Sequence, residues 1–263
     1  MKITLPSILL LSIILSPGLF NAQETGCIEG NCLNGKGILA FQNGSRYEGE
    51  FQNGKYSGQG VFYFANGSIY EGKYNNGRYN GQGTLTYANG TIYTGEFQNG
   101  EYHGQGTLSF ADGASYSGQF FKSNIQGRGM FIYADNSQYT GEFKNGSKDG
   151  RGILVHADGS KYSGEFKNGL YNGMGKYVFA NNETYTGEFK DGRIDGYGKF
   201  TYADGSQYVG NFKNGKRSGQ GVYIKPDGTK YSGEFKDDRF LDYDRMNSPQ
   251  NTGLNQASSN KEG

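Results

Sequence analysis

Two cysteines, two histidines and a row of glutamates are the residues here whose chemistry could reach beyond packing. Cys27 and Cys32 lie close together with no further metal-ligand types in a set around them. In an oxidising compartment such a pair reads as a disulfide rather than a metal site. Acylation of Cys27 in a lipoprotein is the alternative, and Glu24 weakens it by standing where such signals resemble a Leu. His103 occupies the place held elsewhere by Ser57, Asn80 or Asn172, and reads as a solvated loop residue. His156 takes the place of Tyr87 or Phe110 and reads as a packed aromatic substitute. Neither histidine has a Ser or Cys partner set by the pattern, so no nucleophile and base are paired. Glu50, Glu96, Glu142, Glu165, Glu188 and Glu234 each precede an aromatic residue. A carboxylate row could hold Ca²⁺ or move protons, but alternation with inward rings makes it first a solvating face. The many Gly-x-Gly pairs would cradle phosphate only ahead of a helix, and strand patterns follow them instead. The reading is a chain without cofactor or metal, and not an enzyme.

Charge points toward binding. Residues 23–115 carry 5 basic and 8 acidic side chains, net −3, and residues 116–263 carry 20 and 17, net +3. Lys144, Lys148, Arg151, Lys167, Lys190, Arg193, Lys213, Lys216 and Arg217 are expected in loops between paired strands, stacked on one edge. Such an edge within residues 139–230 suits anionic phospholipid headgroups; a solvated, salt-bridged edge is the plainer account. The formal net charge of +1 gives no pull toward nucleic acid. Tyr56, Tyr79, Tyr102 and Tyr171 recur in the same expected loops, as contact residues for protein or glycan or as covers for the sheet edge.

The elements that position these residues come from a repeat. Tyrosine recurs every 23 residues from Tyr47 through Tyr70, Tyr93, Tyr116, Tyr139, Tyr162, Tyr185 and Tyr208 to Tyr231. A glycine follows two residues later and an aromatic two later again, as in Gly49 and Phe51, and a Gly-x-Gly pair such as Gly58 and Gly60 completes the unit. Fixed periods of this size mean stacked repeats. Tyr93-Thr94-Gly95-Glu96-Phe97 and Gly106-Thr107-Leu108-Ser109-Phe110 alternate as half-buried strands do. Ala-Asn-Gly and Ala-Asp-Gly between units suggest tight hairpin turns with both central residues at positive φ. Asn136 and Asn182, which replace the turn glycine, tolerate that region. Glycines sharing the face of the rings leave room for those rings to lie on the backbone.

The unit resembles the MORN repeat, Tyr-x-Gly-x-Phe-x-x-Gly-x-x-x-Gly-x-Gly, reproduced by Tyr47, Gly49, Phe51, Gly54, Gly58 and Gly60. Ser123 and Asp238 depart from it at the glycine after the aromatic. The expected fold is an all-β, elongated single-layer antiparallel meander of 23-residue hairpins. Its expected divisions are a signal peptide over 1–22, a degenerate capping repeat with Cys27 and Cys32 over 23–46, eight repeats over 47–230, a partial capping repeat over 231–241 and a disordered tail over 242–263. Resemblance to MORN proteins implies a scaffold or a membrane-lipid binder. The reading is an exported, bacterial, non-enzymatic surface for an unknown protein partner, with a concave aromatic groove as its contact face. Peripheral binding of anionic phospholipid is the alternative, and self-association through unsealed strand edges stays open.

Overall fold

The computed structural model describes residues 24–241 and is all-β, with no helix among the described residues. The expected signal segment, 1–22, and the expected tail, 242–263, lie outside the described residues. Twenty strands are described; those from Glu24–Gly30 to Ser147–Val155 pair antiparallel in chain order, and so do those from Leu170–Val178 to Arg239–Phe240. Each repeat supplies a seven-residue and a nine-residue strand, as in Ile69–Asn75 and Arg78–Thr86. Along the first, Tyr70, Gly72 and Tyr74 are buried while Ile69, Glu71, Lys73 and Asn75 are exposed, the period-two pattern of one packed face.

The longer strand begins earlier than the sequence pattern suggests. Glu101–Ser109 is one strand, so His103 and Tyr102 pair in the ladder, opposite Glu96 and Phe97, rather than lying in a loop. The turn before it consists of two residues. Asn76-Gly77 shows the rule: both φ values are positive, 50° and 81°, as a two-residue hairpin of right-twisted strands requires.

The connection between repeats, expected to be that tight turn, is a different one. In Ala65-Asn66-Gly67, Gly67 alone has positive φ. Phe64 N–H donates to the Ser68 carbonyl, and Gly67 N–H donates back to the Phe64 carbonyl, both at 2.9 Å. This is a three-residue loop closed by a left-handed residue. Asn66 serves through its side chain, whose Oδ1 accepts the Ser68 N–H at 2.9 Å. Asn136 and Asn182 stand at the left-handed position with φ of 66° and 65°, as expected of them.

The paired glycines explain how one sheet face becomes a core. Gly49 pairs with Gly60, and the Tyr47 ring lies over both. A Cβ on Gly60 would meet Tyr47 Oη at 2.3 Å, and one on Gly49 would meet the Gly60 Cα at 2.6 Å. Beyond this pair the register shifts: in the next repeat Lys73 alone faces Asn80, Gly81 and Gln82. The longer strand therefore bulges and bends around the ring. The tyrosine hydroxyl reaches this bend and donates to the carbonyl three residues on, from Tyr47 to Glu50 at 3.0 Å and likewise in all eight repeats through Tyr208 to Asn211 at 3.1 Å. That bond is why the position is tyrosine and not phenylalanine.

The chain divides into two compact units. Among the described residues the first comprises 24–159 with Phe166–Gly169, and the second Ser160–Glu165 with 170–241. The first unit opens with the hairpin Glu24–Gly30 and Gly35–Phe41, where the Cys27 and Cys32 sulfurs lie at disulfide distance, 2.09 Å. The second unit ends with Lys230–Lys236 and the two-residue strand Arg239–Phe240.

Candidate interaction surface

The aromatic rows do not form an open groove. Tyr47, Tyr70, Tyr93, Tyr116, Tyr139 and, in the second unit, Tyr162, Tyr185 and Tyr208 are completely buried. Tyr162 aside, each packs edge-on against the aromatic of its own repeat and that of the next, as Tyr185 does with Phe189 at 5.1 Å and Phe212 at 5.2 Å, and Tyr74 is that aromatic in the second repeat. Bending at the bulge wraps the strands about this zipper, so the expected contact face is core. Burial keeps these phenols protonated; that of Tyr116 is pushed up to about 12.

A third core position lies nine residues after each tyrosine. Tyr56, Tyr79, Tyr102 and Tyr171 fill it, stacked on the tyrosines before them at 3.6–3.9 Å, as with Tyr70 and Tyr79. Tyr79 and Tyr171 are buried and Tyr56 and Tyr102 half-buried, all four within strands, so of the two expectations, contact residue or cover, these rings serve as cover. Ile125 and Ile194 take the same place. So do two of the cations assigned to the basic edge. Lys148 is 4% exposed, with Nζ 3.2 Å from Tyr133 Oη and within 6 Å of the Tyr133, Tyr139 and Phe166 ring centroids. Burial lowers its pKa from 10.5 to about 8. Arg217 lies among Tyr208, Tyr223 and Phe235, and its Nε pairs with Asp238 at 3.2 Å. Neither side chain is a loop cation. The signal was in the repeat itself: aligned at this position, Tyr, Ile, Lys and Arg substitute for one another.

The remaining cations separate into two places. Lys144, Lys167, Lys190, Arg193, Lys213 and Lys216 are exposed beside the two-residue turns. Arg193 Nη1 donates to Asn214 Oδ1 at 3.1 Å. In the second unit the turns set cation opposite cation: Lys190 faces Arg193, Lys213 faces Lys216 and Lys236 faces Arg239. Arg151, expected with them, instead lies exposed in the bulge of its strand on the outer sheet face.

The glutamate row has a structural task beyond solvation. Glu96 Oε1 accepts the Gln105 N–H at 3.0 Å, Glu188 Oε1 accepts the Tyr197 N–H at 3.3 Å, and Gln119 does the same for Arg128 at 3.0 Å. Each side chain bonds a backbone group that the bulge has taken out of the ladder. His156 is half-buried, and burial pushes its pKa down. Among the described residues no group of three His, Cys, Asp or Glu is gathered to hold a metal ion.

The buried Tyr-Gly-Phe unit and its Gly-Gly pair recur without insertion, and the MORN repeat family model matches eight consecutive copies: residues 47–69, 70–92, 93–115, 116–138, 139–161, 162–184, 185–207 and 208–230. The chain belongs to the MORN repeat family. No curated protein matches this MORN chain in sequence. Among solved structures it is similar to the TCP10 domain of Danio rerio CPAP in complex with a peptide of STIL, at 17% identity and a TM-score of 0.41 over 80% of this chain and 100% of that one. It is also similar to the SAS-4 TCP domain of Drosophila melanogaster in complex with a proline-rich motif of Ana2, at 18% identity and a TM-score of 0.38 over 59% and 85%. At these scores the likenesses carry no argument about function.

Proposed function

We propose that the protein is an exported, non-enzymatic MORN array that binds protein partners along the exposed faces of its repeats. The observation that carries this reading is the burial, in all eight repeats, of the repeat tyrosine and of the aromatic four residues after it. What differs from repeat to repeat is the outer sheet face and the turn edge, where partners can be told apart. Export is supported by the mostly apolar, uncharged run that follows Lys2 and by the Cys27–Cys32 bridge, which persists in oxidising compartments.

Peripheral binding to anionic phospholipid is the second reading, favoured by the three opposed cation pairs of the second unit. Like charges directly opposite are unfavourable in a hairpin, and an anionic surface would relieve them. The test is co-sedimentation of the chain from Gln23 onward with phosphatidylcholine and phosphatidylglycerol vesicles over a salt series, beside cross-linking capture from the exported fraction. The protein reading expects a cross-linked protein and no vesicle pellet. Pelleting with phosphatidylglycerol alone, lost with salt and in Lys213→Glu/Lys216→Glu, would replace it with the membrane reading.

A further inference from the structure

Internal repetition supplies a standard for every surface position: what the same place holds in the other copies. Twelve residues after the repeat tyrosine, at the exposed crest of the bulge, stand Gln59, Gln82, Gln105 and Gln220, with Arg128 and Arg151. The sixth and seventh repeats place Met174 and Tyr197 there, each 56% exposed. Two residues further on, where Val61, Thr84, Thr107 and Val222 stand, these same two repeats carry Lys176 and Lys199. The fold demands none of the four, because glutamine and threonine or valine satisfy the same backbone elsewhere.

All four lie in the second unit and share one outer face. Thr186 pairs with Lys176 on one side and Lys199 on the other, so the two lysines stand two strands apart, about 10 Å. Met174 pairs with Glu188, and Tyr197 with Asn211, in the adjoining row. The Glu188 carboxylate is turned to the Tyr197 N–H at 3.3 Å. Neither lysine has a carboxylate within salt-bridge distance among the described residues.

We propose that Met174, Lys176, Tyr197 and Lys199 form a docking patch for an acidic segment of a partner protein that also carries an apolar side chain. The inference rests on the reading of the protein as an interaction array and names where one partner sits. Exposed methionine and tyrosine offer adaptable apolar contact, and two unpaired ammonium groups select carboxylates through charge complementarity. A lipid bilayer fits less well. Glu165 and Glu188 are exposed on the strands beside these, Lys161–Lys167 and Thr184–Lys190, and would meet anionic headgroups at close range, whereas a peptide can set its carboxylates over the lysines alone.

The test uses the full chain and a random twelve-residue display library. Selection against the wild type should enrich peptides combining Asp or Glu with Phe, Leu or Tyr. These should bind at least about tenfold more weakly to Met174→Gln/Lys176→Thr/Tyr197→Gln/Lys199→Thr, the loss of a small hot spot. Each replacement is the residue that other repeats carry, and thermal melting of the variant checks that the array is intact. Enriched peptides that bind the folded variant equally well would overturn the patch and leave the interaction array standing. No enrichment, with pelleting on phosphatidylglycerol vesicles, would overturn both.

Discussion

The second and fifth repeats share one backbone and fill it differently. In the second, Tyr79 stacks on Tyr70 at 3.6 Å with the rings 12° from parallel. In the fifth, Lys148 stands in the same place beneath Tyr139, its Nζ 5.7 Å from the ring centroid. The companion fifteen residues earlier accounts for much of the difference. Tyr133 offers its hydroxyl to Lys148, as Tyr87 does to Tyr102. Phe110 and Phe179 precede the apolar Ile125 and Ile194 at the same spacing. Phe41 before Tyr56 and Phe64 before Tyr79 depart from this rule. The lesson is that the core position tolerates a cation where rings surround it and a neighbouring repeat supplies a polar atom.

What the two repeats share is the glycine pair, and breaking it should have the largest effect. A Cβ on Gly72 would stand 2.5 Å from the Gly83 Cα, and one on Gly141 would stand 2.4 Å from Tyr139 Oη and 2.6 Å from the Gly152 Cα. Gly72→Ala and Gly141→Ala should each destabilise by about 3 kcal/mol or more, equally in the two repeats, in denaturant titrations.

What separates them is the buried charge. Lys148→Tyr should make the fifth repeat like the third, where Tyr87 meets Tyr102, and stabilise the protein by roughly 2–3 kcal/mol at pH 7. The sign follows from the pKa. With Lys148 near 8 when folded and 10.5 when unfolded, the unfolded chain binds more protons between those values. Wild-type stability should therefore rise with pH above 8. Above pH 10 the raised phenol pKa values act the other way, so the rise is best read between pH 7 and 9.5. There it should reach about 2 kcal/mol and vanish in Lys148→Tyr.

A smaller contrast lies at the aromatic four residues after each repeat tyrosine. Tyr74 stands where the fifth repeat has Phe143, and its hydroxyl is buried with no hydrogen-bond partner among the described residues. Tyr74→Phe should stabilise by about 1 kcal/mol, and Phe143→Tyr should cost a similar amount, in chemical denaturation. Smallest of all, Lys122 holds φ of 48° in a turn where Asn76 and Asn145 hold the same region in these two repeats. Lys122→Asn should add about 0.5 kcal/mol, seen as a shift of one or two degrees in melting.

The architecture was legible because its signals are periodic. Tyr47 to Tyr208, the glycines beneath them and the left-handed Asn136 and Asn182 all followed from spacing and backbone sterics. The turn geometry was not: Asn66-Gly67 and Asn76-Gly77 are the same dipeptide, and the number of residues between ladder partners decides which becomes the two-residue turn. Lys148 and Arg217 were misplaced because a cation reads as solvated when taken alone. Only alignment with Tyr79 and Tyr171 exposes a ring position. Arg151 was misplaced for a related reason, since the bulge that carries it is a register shift and leaves no composition signal.

Amine labelling of the native chain by an N-hydroxysuccinimide acetyl ester, read by peptide mass spectrometry, tests most directly whether the third position is core. Lys144, Lys190, Lys213 and Lys216 should be acetylated rapidly and Lys148 protected until the chain is unfolded. Acetylation of Lys148 at the rate of Lys144 would contradict the account and return that side chain to the solvated edge.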